Sequence, residues 1–157
     1  MDGITFSSSL LEAASSVLES TAYALIEPLD DSENKGDSSR LETGALLRFS
    51  GTFSGVLVAM TSEKLAAALA ADMVGLDDEF SGLVDRNDAM KEILNIICGE
   101  FLSYICQSQD DYRVESPIDL AQPDYEALTA SGRGEVIAKS DLIIEGEALS
   151  LLLLRES

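Results

Sequence analysis

The chain has 157 residues, 46% of them hydrophobic, with 10 basic and 29 acidic side chains, a formal net charge of −19 and no histidine. A surface that acidic repels phosphate backbones and anionic headgroups, which argues against nucleic acid and membrane as partners. The missing histidine excludes Ser-His-Asp and Cys-His catalysis, His-bearing zinc sites and a histidine pH switch, leaving carboxylates, amides, hydroxyls or a partner's groups for any chemistry.

The length corresponds to about one domain, and residues 1–157 are read as a single one. Met1 to Thr5 carries neither a basic nor an apolar leader segment, so no secretory signal is expected. The longest nearly apolar stretch, Leu65 to Leu76, is interrupted by Asp72 and falls short of the ~20 residues that span a bilayer. Cys98 and Cys106, placed on one helix, would be separated by about 12 Å of rise, too far for a disulfide. Two free thiols and no leader fit a cytoplasmic protein.

In chain order, the first helical pattern runs from about Ser8 to Ile26, with Leu10, Leu11, Ala14, Val17, Leu18, Thr21 and Leu25 at helical spacing, and Pro28 ends it. Residues 30–39 are polar and read as a loop. Thr43 to Phe49 and Thr52 to Met60 alternate as strands around Ser50-Gly51, predicting a hairpin. Thr61 is the expected N-cap of a helix from Ser62 to about Met73, with Gly75 as its stop. Residues 77–85 read as a loop. The strongest pattern follows over about Asn87 to Gln107. There Met90, Ile93, Leu94, Ile97, Cys98, Phe101, Leu102 and Ile105 form one continuous apolar stripe. Tyr112 to Val114, Gly134 to Ile144 and Ala148 to Leu154 read as strands, the last two joined by a hairpin at Gly146. Helix-plus-strands occurs twice, a weak internal repeat, and the expected fold class is α+β, with helices packed on a largely antiparallel sheet.

The back of the long helix carries the candidate site. At about 100° per residue, with Glu92 as zero, the apolar stripe centres near 190° while Asp88, Asn95 and Gly99 fall at about 320°, 300° and 340°. These four residues make a second, outward stripe, with Ile96 beside it at about 40° as an expected exposed apolar side chain. Gly99 costs a helix about 1 kcal/mol relative to alanine, a cost that close approach of another surface would explain. A solvated helix face with no further role is the plain alternative.

Asp88-Ala-Met-Lys-Glu92-Ile-Leu-Asn95-Ile-Ile-Cys-Gly99, with Pro117 downstream, resembles the signature of the CheC/CheX/FliY phosphatases of bacterial chemotaxis. Pro117 stands one residue short of the usual spacing. The segment from Gly51 to Met60, followed by an alanine-rich helix, is similar to that family's first hairpin. The likeness extends over about residues 5–155, and its single intact motif is most similar to CheX.

The resemblance implies a CheC-like fold and a hydrolase acting on the aspartyl phosphate of a phosphorylated CheY-like receiver domain. Glu92 would pair with the receiver's active-site lysine, and Asn95 would orient the attacking water. Asp88, Ile96 and Gly99 would border the docking surface. The chain would need no cofactor or metal of its own, because the receiver brings Mg²⁺ together with the acyl phosphate. Sheet-joined homodimers are implied as well. Two-site members repeat the motif on the first helix. Here Ser8-Ser-Leu-Leu-Glu12-Ala-Ala-Ser15 has serine where the amide belongs, so that site is expected to be inactive. The competing function is a receiver-binding or flagellar-associated module of the same fold without turnover.

Other signals carry less. Asp31 to Gly36 with Glu42 outlines a calcium loop, but Lys35 occupies a ligand position and a strand pattern follows. Ser131-Gly-Arg-Gly134 lacks the Lys-Ser/Thr and the helix of a phosphate loop. Cys98 and Cys106 belong to the core stripe or its edge rather than to catalysis. The C-terminal leucines, Leu151 to Leu154, require burial on both strand faces, either centrally in the sheet or at an interface.

Overall fold

The computed structural model describes residues 3–21, 26–28, 41–51, 54–74, 86–105, 112–121, 135–144 and 146–155. In chain order these form α1 (Gly3–Thr21), β1 (Ile26–Pro28), β2 (Thr43–Ser50), β3 (Gly55–Thr61), α2 (Glu63–Val74), α3 (Arg86–Ile105), β4 (Arg113–Val114), β5 (Ile118–Ala121), β6 (Glu135–Ile144) and β7 (Glu147–Arg155). The strands make one sheet in the order β1-β6-β7-β3-β2-β4, with β5 also paired to β2. Every pairing is antiparallel. The α+β class with helices on an antiparallel sheet is therefore as the sequence indicates.

The leucine-rich end of the chain builds the centre of this sheet. β7 lies between β3 and β6, with Leu151 opposite Ala59 and Leu153 opposite Leu57. Leu151 and Leu153 join the main core beneath the helices, whereas Leu152 and Leu154 join Leu46, Val56, Val58 and Met60 on the other face. All four leucines are fully buried within one chain. Of the two forms of burial left open by the sequence, central burial satisfies the leucine run, so the run is no argument for a dimer.

The hairpin β2–β3 needs glycine at two close approaches. A Cβ on Gly44 would run into the carbonyl oxygen of Ala59, and one on Gly55 would lie 2.7 Å from Phe49 Cζ. The register pairs Phe49 with Gly55, so the connection is longer than the two-residue turn expected at Ser50-Gly51, and Ser54 lies outside the strand. Thr52 and Phe53, expected in the second strand, lie outside the described residues. At the other hairpin Gly146 adopts φ +82° between the paired residues Ile144 and Glu147, a left-handed conformation that favours glycine.

Several expected boundaries move. α1 starts at Gly3 rather than Ser8, because Phe6 is buried and meets Phe101 with ring centroids 6.3 Å apart. The helix runs through Thr21, and Ile26 belongs to β1, where Ile26 to Pro28 pair with Ile144 to Leu142. Pro28, lacking an N–H, fits at that outermost strand. Thr61 is the last residue of β3, its hydroxyl donating to the Ala148 carbonyl at 2.7 Å. The cap is Ser62, whose Oγ accepts the Leu65 N–H at 3.1 Å, the N-cap to N3 geometry. The same Ser62 hydroxyl donates to buried Glu147 at 3.2 Å, tying the start of α2 to β7. β5 has no counterpart among the expected strands. The expected loops at 30–39 and 77–85, the stop at Gly75, Cys106, and the Ser131–Gly134 turn lie outside the described residues.

α3 occupies the centre of the helical layer, packed on α1, α2, β2 and β3. Its apolar stripe carries the reason: Met90, Ile93, Leu94, Ile97, Cys98 and Phe101 are fully buried. Burying each large side chain contributes about 1.5–3 kcal/mol, and that is what fixes the rotation of α3 about its axis.

Candidate functional site on the outward face of the central helix

With the apolar stripe locked against α1, α2 and the sheet, the opposite side of α3 has one orientation. Asp88, Glu92, Asn95 and Gly99 are all exposed, and Ser103 continues the line. The wheel places these residues correctly. Glu92 and Asn95, three positions apart, are separated by about 4.5 Å along the axis. Among the described residues neither side chain has a hydrogen-bond or ion-pair partner. Space around Gly99 is open: a Cβ there would meet nothing within 4 Å. Nothing among the described residues therefore demands glycine at this position.

Ile96 departs from expectation. It is half-buried and packs against the main core rather than standing exposed, because at about 40° on the wheel it overhangs the flank of the helix.

The charged groups around the stripe differ in their engagement. Lys91 Nζ lies 3.3 Å from Asp88 and 3.6 Å from Asp119 of β5. Its hydrogen bond to Asp88 raises the ammonium pKa above the ordinary value, with the Asp119 charge acting the same way and desolvation opposing. Further along, Tyr104 donates to Glu100 at 3.1 Å. Desolvation, then Glu100 and the charge of Glu12, raise the phenol pKa above its ordinary value. Glu92 is thus the one outward carboxylate of α3 that stands without a partner among the described residues. The sequence reading passed over Lys91 and Asp119. The i, i+3 spacing of Asp88 and Lys91 was a visible signal for the first pair, but the Asp119 contact depends on an unforeseen strand.

On the buried side, Cys98 is a free thiol whose pKa burial pushes up to about 12. It stays protonated near neutrality, as a core residue rather than a nucleophile. On α1, Glu12, Ser15, Ser16 and Glu19 line a shallow surface groove, with Glu12 exposed and Ser15 half-buried. No helix among the described residues is long and apolar enough to cross a membrane. No group of three or more His, Cys, Asp or Glu side chains among them could hold a metal.

Fold and face together define an α+β protein with an acid and an amide on open helix surface. The family model described as "Chemotaxis phosphatase CheX" matches residues 43–139, a span that includes β2, β3, α2, α3 and the outward stripe. This chain belongs to the CheX family. No curated protein matches. Among solved structures, chemotaxis protein CheX from Vibrio vulnificus is similar over 97% of this chain and 99% of that one, with TM-score 0.69 and 18% identity. CheX from Desulfovibrio desulfuricans is similar over 97% and 99%, with TM-score 0.67 and 16% identity. The CheX-CheY-BeF3-Mg complex from Borrelia burgdorferi is similar over 96% and 97%, with TM-score 0.66 and 16% identity. These likenesses show the shared fold.

Proposed function

We propose that this protein is a phosphatase that hydrolyses the aspartyl phosphate of a CheY-like receiver domain by positioning the attacking water. The observation that carries the reading is the pairing of Glu92 and Asn95: both exposed, both without partners among the described residues, on a helix face whose direction is fixed by a buried opposite side. Membership of the CheX family supports it, as does the Borrelia CheX structure solved with CheY, BeF3 and Mg²⁺.

In this account Glu92 accepts a charge-assisted hydrogen bond from the receiver's lysine, which sets the two proteins in register. The Asn95 amide can donate and accept, so it holds a water in line with the phosphorus. The water oxygen bonds to phosphorus as the acyl oxygen–phosphorus bond breaks, giving the aspartate carboxylate and inorganic phosphate. Catalysis of phosphoryl transfer is mostly positioning and charge stabilisation, so a chain without histidine can perform it. The receiver would supply Mg²⁺ for the charge on the phosphoryl group. Asp88, Ile96 and Gly99 border the contact, with Gly99 leaving the space a second surface needs.

The whole chain would act as one domain, in the cytoplasm and as a homodimer. The family resemblance supports the dimer. β1 reaches only Leu142 to Ile144 of β6 and leaves the rest of that edge uncovered by it. Sedimentation at micromolar concentration checks the dimer, and a monomer near 16.8 kDa would contradict it. The phosphatase reading is tested by adding the protein to several phosphorylated receivers and following phosphate loss. At least one receiver should lose its phosphate faster, and unchanged lifetimes across the set would contradict the reading.

A further inference from the structure

Asp88 and Glu92 are two carboxylates on one helix face, four residues apart, which is about 6 Å along the axis. Both are exposed, and the Asp88 side chain is 72% accessible. A cation arriving from a partner could pair with either acid. The two choices are not equivalent for catalysis. Docking one turn too far toward the helix N-terminus would carry Asn95 several ångströms from the phosphorus, whereas in-line attack needs reacting atoms within about 3.5 Å.

The chain already carries a group that distinguishes the two acids. Lys91 is bonded to Asp88 at 3.3 Å and approaches Asp119 at 3.6 Å, so its ammonium is shared between the helix and β5. Glu92, next in sequence but on the outward stripe, receives none of this. We propose that Lys91 is a positioning residue that sets the docking register of the receiver: by occupying Asp88 it leaves Glu92 as the carboxylate the receiver's lysine meets. This rests on the phosphatase reading and adds a specificity determinant to it. An exposed ion pair contributes little to folding, and the role assigned to Lys91 needs no stabilisation. It needs only that the competing acid be neutralised.

The test uses steady-state dephosphorylation by the full chain. Lys91→Gln, checked for an unchanged melting temperature, should lower kcat about tenfold. KM for the phosphorylated receiver should stay the same or fall, because a second carboxylate is now available to bind without turnover. Lys91→Gln with Asp88→Asn removes the competing acid and should raise kcat about threefold or more above Lys91→Gln alone, a rescue that follows from removing the alternative register even though Asp88 borders the contact. Asp119→Asn cuts only the arm to β5 and should cost less than about twofold, since the Asp88 arm remains. Wild-type kcat in Lys91→Gln, failure of rescue in the double variant, or a loss in Asp119→Asn equal to that in Lys91→Gln would each overturn the proposal while the phosphatase reading stands. A wild-type protein inert toward every receiver would overturn both.

Discussion

α3 and α1 pack against each other and offer two versions of one pattern. On α3 an exposed glutamate, Glu92, is followed three residues later by an exposed asparagine, Asn95; on α1 the exposed Glu12 is followed by the half-buried Ser15. The backbones repeat, but the chemistry does not. A serine hydroxyl is shorter than an amide and offers one donor instead of two, and Ser15 sits partly inside its own helix layer. The surroundings differ as well. Glu12 shares a groove with Glu19 and adds its charge to Tyr104, whereas Glu92 stands apart while Lys91 neutralises its acidic neighbour. Under the proposed function the catalytic role falls to α3, and α1 keeps only its structural one.

The largest effect that separates the two faces should come from Asn95→Ala. Removing the water-holding amide should lower turnover by about a hundredfold or more, the scale of losing one aligned polar group in a transition state. Stability should move by no more than about 0.5 kcal/mol, because the side chain is exposed. Substantial activity in a folded Asn95→Ala protein would place the chemistry elsewhere. Glu92→Ala should follow, weakening affinity for a receiver activated with BeF3⁻ by about 2 kcal/mol or more if the pair is desolvated, with a matching loss of rate. Isothermal titration reads this directly, and unchanged affinity would remove the lysine-pairing role from Glu92. Glu12→Ala should have the smallest effect, with turnover within about twofold of wild type, an expectation from its exposed position. A large loss in a stable Glu12→Ala protein would mean that the α1 face is the working one.

Most of this architecture is legible in the residues, and the exceptions have physical causes. The α3 stripe reads correctly because eight apolar residues at 3- and 4-residue spacing leave one rotation for the helix, and fixing the buried side also fixes Glu92 and Asn95. The hairpins read well where alternation and glycine coincide, as at Gly44, Gly55 and Gly146. β1 and β5 were missed because Ile26-Glu-Pro28 and Ile118-Asp-Leu-Ala121 are too short to carry a period, and pairing with β6 and β2 defines them. The cap shifted by one residue because Thr61 and Ser62 are both competent, and the choice is made by Ala148 and Glu147, which are distant in sequence. The Lys91–Asp119 contact was hidden for the same reason. Local pattern specifies elements, whereas contacts across the sheet specify which polar groups are left unpaired at the site.

Turnover separates catalysis from mere binding. A phosphorylated receiver is mixed with this protein at about one-tenth of its concentration, and inorganic phosphate is followed to completion. Many phosphates should be released per chain, at a rate proportional to the protein added. Phosphate release limited to the spontaneous rate, or a receiver phosphate protected by the added chain, would contradict it.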